Sequence, residues 1–106
     1  YSCPTAVAPR GVFMYVGVLR LECFISDSHS LKDKRQVIRS LKDRLRGKFN
    51  VAVAEIDFQD KWQRAALGIT TVSGDNSHLI HSLDEIDRFI RSFPALSVVS
   101  IEREVF

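Results

Sequence analysis

Several things are missing from this chain, and each absence narrows it. Only two cysteines, Cys3 and Cys23, occur in 106 residues, and no C-x-x-C spacing is present. A disulfide framework is therefore excluded, the cytoplasm is the expected compartment, and Cys23, set in a strongly apolar stretch, reads as a buried free thiol. No apolar run approaches the ~18 residues that a membrane span requires, so a soluble protein with no membrane partner is expected. A glycine-rich phosphate loop, a nucleophile elbow and a Ser and His pair at telling spacing are all lacking. The sequence assigns no catalytic residue, no metal site and no cofactor, and a non-enzyme is expected. His78 and His81 lie three apart, but no third histidine or cysteine joins them to complete a ligand set. Internal repeats and low-complexity segments are absent as well.

What is present fits one domain, long enough to bury roughly two-thirds of its unfolded surface. Tyr1 to Phe13 carries Pro4, Pro9 and Gly11 without hydrophobic periodicity, and a strand pattern begins at Met14. Residues 1–13 are expected to be an irregular tail, either an added leader or a flexible arm, with Met14 the native start of a single domain over 14–106.

From Tyr15 to Ile25 the pattern alternates, with Gly17, Leu19, Leu21, Cys23 and Ile25 on one face and Val16, Val18, Arg20, Glu22 and Phe24 on the other. Ser30 and Asp33 form a short version of the capping box, Gly47 supplies a stop, and Leu31, Val37, Ile38, Leu41 and Leu45 recur between them at helical spacing. Asn50 to Asp57 and Arg64 to Ser73, rich in Val, Ile, Ala and Thr, read as a hairpin across the polar connection from Phe58 to Gln63. Asp75 caps a second helix with Leu79, Leu83, Ile86, Ile90 and Phe93 as its buried stripe, Pro94 ends it, and a last strand runs from about Leu96 to Phe106. The order βαββαβ with right-handed crossovers predicts an α+β, ferredoxin-like split βαβ fold: a four-stranded antiparallel sheet with two helices on one face and the other face open. Leu19, Leu21, Leu41, Leu45, Leu83, Ile86 and Ile90 are the expected core between the layers.

The net charge of +2 identifies no partner, but its distribution is uneven. Lys32 to Lys48 holds eight basic residues against Asp33 and Asp43, so that segment carries +6 and the rest of the chain −4. Lys32, Arg35, Arg39, Lys42 and Arg46 follow alternating three- and four-residue steps, which puts them on one ridge beside the apolar stripe. Such a ridge can track a phosphate backbone, or it is a solvated face neutralised by carboxylates nearby in space. Lys34 falls in the apolar sector, in the first turn where the helix dipole disfavours a cation; it is either functional, joining the ridge as a nucleic-acid contact, or snorkels past the core. Glu55, Asp57 and Asp60 gather near one end of the hairpin, as a cation site or as charges that guard an edge strand. Trp62, in the hairpin connection, either stacks on a base or a partner or folds back over its own hairpin.

The residues also carry a family resemblance. Val18, Leu19 and Leu21, the run from Ser30 to Arg35, Arg44 to Phe49, Val51 to Glu55 and the run from Asp60 to Ala65 make the chain from Met14 to Phe106 similar to the bacterial family of proteins of unknown function DUF503. The resemblance implies a ferredoxin-like fold and, because genes of the family tend to neighbour those for translation initiation and ribosome maturation, an association with ribosomal RNA or the ribosome. It brings no catalytic residues with it. Standard RNA-recognition domains stack bases on aromatics of the central strands, where this chain offers Ala66, Gly68 and Thr70 or Leu67 and Ile69. Acylphosphatases need a phosphate cradle in the first strand and loop that has no counterpart here. Two readings remain: an RNA- or ribosome-binding module using Lys32, Lys34, Arg35, Arg39, Lys42 and Arg46, or a homo-oligomeric or small-ligand-sensing domain that pairs as a homodimer through the open sheet face.

Overall fold

The computed structural model describes residues 13–106. The expected tail, residues 1–13, lies outside the described residues except for Phe13. The elements run β1 (Tyr15–Phe24), α1 (Leu31–Lys48), β2 (Ala52–Asp57), β3 (Arg64–Ser73), α2 (Asn76–Arg91) and β4 (Ser97–Val105). The four strands form one sheet in the order β2-β3-β1-β4, antiparallel at every junction. This is the α+β, ferredoxin-like arrangement that the sequence predicts.

Alternation in β1 turns Gly17, Leu19, Leu21 and Cys23 inward. The register Leu19↔Ile69, Leu21↔Leu67 and Cys23↔Ala65 extends that apolar surface across β3. Ile38, Leu41 and Leu45 of α1 and Leu79, Leu83, Ile86 and Ile90 of α2 join it in a single buried cluster, so both helices cover the same face. All seven expected core residues have no solvent-exposed area. Burial of a leucine or isoleucine is worth about 1.5–3 kcal/mol, before the entropy of ordering is subtracted. Helix α2 approaches the sheet closely at Gly17, where an added Cβ would fall 2.8 Å from Leu83 Cδ1.

The helix starts follow the sequence signals. Ser30 Oγ accepts from Asp33 N–H at 3.1 Å, and Asp33 Oδ2 accepts from His29 N–H at 3.0 Å, so the return bond of the capping box reaches one residue before the cap. At α2, Asp75 Oδ1 accepts from Ser77 N–H at 3.2 Å. The end of α1 differs from expectation: Gly47 does not stop it, and the helix continues through Lys48 to Phe49, whose N–H still bonds to Leu45 C=O. Glycine in a helix costs about 1 kcal/mol against alanine, and the packing of Phe49 on the core, with its ring edge-on to Phe89 at 5.9 Å, outweighs that. Strand β2 begins at Ala52 rather than Asn50, whose carbonyl instead accepts from Thr71 Oγ1 at 2.7 Å.

Each edge strand bulges once. The register skips Ile56 in β2 and Val99 in β4. Ile56 folds over Gly68 on the open face, with its Cγ2 3.3 Å from where a Gly68 Cβ would stand.

Candidate nucleic-acid interface

The three-and-four spacing in α1 produces the expected ridge. Lys32, Arg35, Arg39 and Arg46 are exposed and Lys42 is half-buried. Among the described residues, none of the five lies within salt-bridge distance of a carboxylate. Arg46 alone is anchored, donating from Nη2 to Val53 C=O at 3.2 Å, which ties the end of the ridge to the edge strand β2. The remaining basic residues of α1 lie elsewhere: Arg44 stands 5.7 Å over the Phe93 ring, and Lys48 stands 5.8 and 5.3 Å over Phe49 and Phe89. Those contacts face α2, so the helix carries cations on both flanks of its buried stripe.

Lys34 leaves the ridge. Its side chain is 1% exposed, with Nζ 2.8 Å from Glu55 Oε2 and donating to Phe58 C=O at 2.6 Å. It neither snorkels to solvent nor faces a phosphate; it is a buried cation whose charge Glu55 balances. Glu55 correspondingly leaves the expected acidic cluster, because the alternation that buries Val53 also turns Glu55 toward the helices. A sequence signal for the pair did exist, since Glu55 is in phase with Val53 and Lys34 is in phase with Ile38 and Leu41.

Lys34 thereby fixes the β2–β3 connection against the start of α1. Phe58 adopts φ 60°, the left-handed region that a bulky side chain avoids. Asp57 Oδ1 accepts its N–H at 2.8 Å, Lys34 takes its carbonyl, and the Arg64 guanidinium lies 4.4 Å over its ring. Gln63 Nε2 donates to the carbonyls of Ser26 and Ser28, both at 3.1 Å, which pins the other side of the loop to the β1–α1 turn. Between these anchors Trp62 remains 55% exposed.

The open sheet face holds a second charged group. Arg20 bonds Glu22 at 3.3 Å and reaches Asp57 at 3.9 Å, and Arg64 bonds the other oxygen of Glu22. Hydrogen bonds from Arg64 and then Arg20 hold the Glu22 carboxyl below its ordinary range. Arg20 and Glu22 are readable from alternation, but Arg64 is 42 residues away and is brought in only by the β1–β3 register. Around this group the face exposes Phe24, Ile56, Val72 and Val99.

His81 Nε2 pairs with Glu85 at 3.0 Å, and no group of three or more metal-ligating side chains forms among the described residues. Cys23 is buried, and desolvation pushes its thiol up to about 11. No described helix is long and apolar enough to cross a membrane.

Comparison with known proteins gives a consistent result. The chain is 38% identical over 91 residues to the uncharacterized protein YlxP of Bacillus subtilis (strain 168), covering 86% of this chain and 99% of that one. Among solved structures, the de novo designed protein Foldit4 superposes with a TM-score of 0.53 at 13% identity, over 88% of this chain and 96% of the other, a likeness of fold alone. The profile of the family described as "Protein of unknown function (DUF503)" matches residues 16–103, and the chain belongs to that family.

Proposed function

We propose that the protein is a non-catalytic RNA-binding module that associates with the ribosome, and so works in the cytoplasm, through the ridge of Lys32, Arg35, Arg39, Lys42 and Arg46. One observation carries this reading: five cations share one helix flank and, among the described residues, none of them has a carboxylate within salt-bridge distance, whereas five of the nine other described lysines and arginines do. Arg20 and Arg64 pair with Glu22, Arg91 with Asp87, and Arg103 with Asp84. Unneutralised charge along one helix flank is the electrostatic footprint of a polyanion site. Lys32 and Arg46 are separated by about 21 Å along the helix axis, long enough to meet several successive phosphates. The family resemblance makes ribosomal RNA the preferred target.

About four phosphate contacts give a slope near −3 in log affinity against log salt for a single strand. Affinity for ribosomal subunits then falls about 50-fold between about 50 and 200 mM salt. Co-sedimentation at the low salt that is lost at the high salt supports the reading. Co-sedimentation indifferent to salt, or none at either, overturns it.

Exposure of Phe24, Ile56, Val72 and Val99 favours a second reading, a homodimer formed through the open sheet face. A monomer in light scattering at high protein concentration removes that reading.

A further inference from the structure

We infer that the ridge takes a single strand rather than a duplex, with Trp62 as the platform on which one unpaired base stacks; this rests on the RNA reading above. The placement comes from the loop anchors. Lys34 is a residue of α1, and its bond to Phe58 C=O holds the β2–β3 connection at the end of the helix where Lys32 and Arg35 begin the ridge. Gln63, next to Trp62, is bonded to Ser26 and Ser28 just ahead of the same helix. The loop that carries the exposed indole is therefore held at one end of the helix that bears the basic track, and Arg46, bonded to β2, stands near the other.

The loop is built to hold this position. Phe58 keeps its left-handed backbone because a carboxylate, an ammonium and a guanidinium all act on it, and such over-determined strain occurs where a segment must keep one shape. Trp62 makes no hydrogen bond among the described residues, and a shallow depression of about 450 Å³ beside it is lined by Asp60, Lys61, Gln63 and Arg64. A volume of that order admits a base. Two of the three carboxylates nearby are already engaged: Glu55 is balanced by Lys34, and Asp57 accepts from Phe58 N–H and meets Arg20, which leaves the exposed Asp60 facing the depression.

Stacking on an indole requires a base that is not already stacked in a helix, which is why this geometry selects single-stranded RNA. The open face of β3 offers no aromatic, carrying Ala66, Gly68 and Thr70, and β1 offers only Phe24 at its far end, on the sheet face rather than beside α1. The track and the platform together span about four to six nucleotides.

Trp62 is the chain's one tryptophan, so its emission reports the site directly. The probes are a single-stranded oligoadenylate of about eight nucleotides and a blunt RNA duplex of the same length. The single strand is expected to quench Trp62 emission and the duplex to bind more weakly without quenching. Trp62→Ala should weaken single-strand binding about tenfold, and Trp62→Phe, which retains an aromatic face, should hold it within about threefold. Equal binding of both probes without quenching, with Trp62→Ala neutral and the ridge variant Arg35→Gln/Arg39→Gln/Lys42→Gln defective, overturns the single-strand inference and leaves the ridge reading standing. No binding of either probe overturns both.

Discussion

Removal of the Lys34 ammonium tests the buried ion pair that ties α1 to β2. In Lys34→Met the stem is retained, but Glu55 loses the cation 2.8 Å away and Phe58 C=O loses a 2.6 Å donor. Breaking a fully buried pair costs about 3–5 kcal/mol, chiefly from the charge left behind. The Glu55 side chain is 21% exposed and keeps some hydration, which lowers that to about 2–3 kcal/mol. The unsatisfied carbonyl adds up to about 1 kcal/mol. The expected destabilisation is about 3 kcal/mol, or a fall in Tm of about 12–24 °C for a domain of this size. Urea denaturation followed by far-UV circular dichroism measures it. Lys34→Met combined with Glu55→Leu should return to within about 1 kcal/mol of the parent, because both charges are then gone. A single variant that loses less than about 1 kcal/mol, or a double variant worse than either single one, refutes the assignment of Lys34 to a buried, balanced pair.

Three further outcomes follow from the same structure. Gly17→Ala places a Cβ 2.8 and 2.9 Å from the Leu83 methyl carbons in a packed core, so calorimetry should show a loss of about 1–3 kcal/mol, and an unchanged Tm contradicts the close approach of α2. Glu22 titrates below its ordinary value of 4.5 in the folded state because of Arg64 and Arg20; its contribution to stability is therefore present above that pH and lost as pH falls through the folded value. Glu22→Gln should flatten the acid limb of stability against pH, and an acid limb identical to the parent's contradicts the network. In a Cys3→Ser background, Cys23 should resist a thiol reagent at about pH 8 until urea unfolds the chain, since its thiol is pushed up to about 11, and fast labelling of the native protein contradicts its burial.

The element order, the core and the two helix caps were legible because each rests on local periodicity or on a side chain bonding within four residues of itself. The places where the reading departed from the structure share one cause, a contact made over a long stretch of chain. Lys34 stood out as a cation in an apolar sector, but its partner Glu55 lies on a strand 21 residues later, and only the packing of α1 on β2 brings them together. Gly47 carries a helix-stop signal that Phe49 overrides by burying its ring against α2. The ridge itself was legible from spacing, whereas the absence of a carboxylate within salt-bridge distance of its cations, even from the exposed Asp43 on the same helix, was not. Glu22 and Asp57 meet the arginines of the sheet, Asp84 and Asp87 meet Arg103 and Arg91, and Glu55 meets the buried Lys34 instead, and that choice is made by tertiary structure.

The most direct test of the ridge is RNA affinity measured across a range of salt for the parent, for Arg35→Gln/Arg39→Gln/Lys42→Gln, and for a matched set at Arg88, Arg91 and Arg103. Surface changes of this kind alter stability by less than about 0.5 kcal/mol each, so binding is read without unfolding. Loss of three contacts should reduce the slope from about −3 to about −1, while the matched set leaves it near −3. Equal losses of affinity and slope in both sets would mean general attraction to a positive protein and would contradict a site on α1.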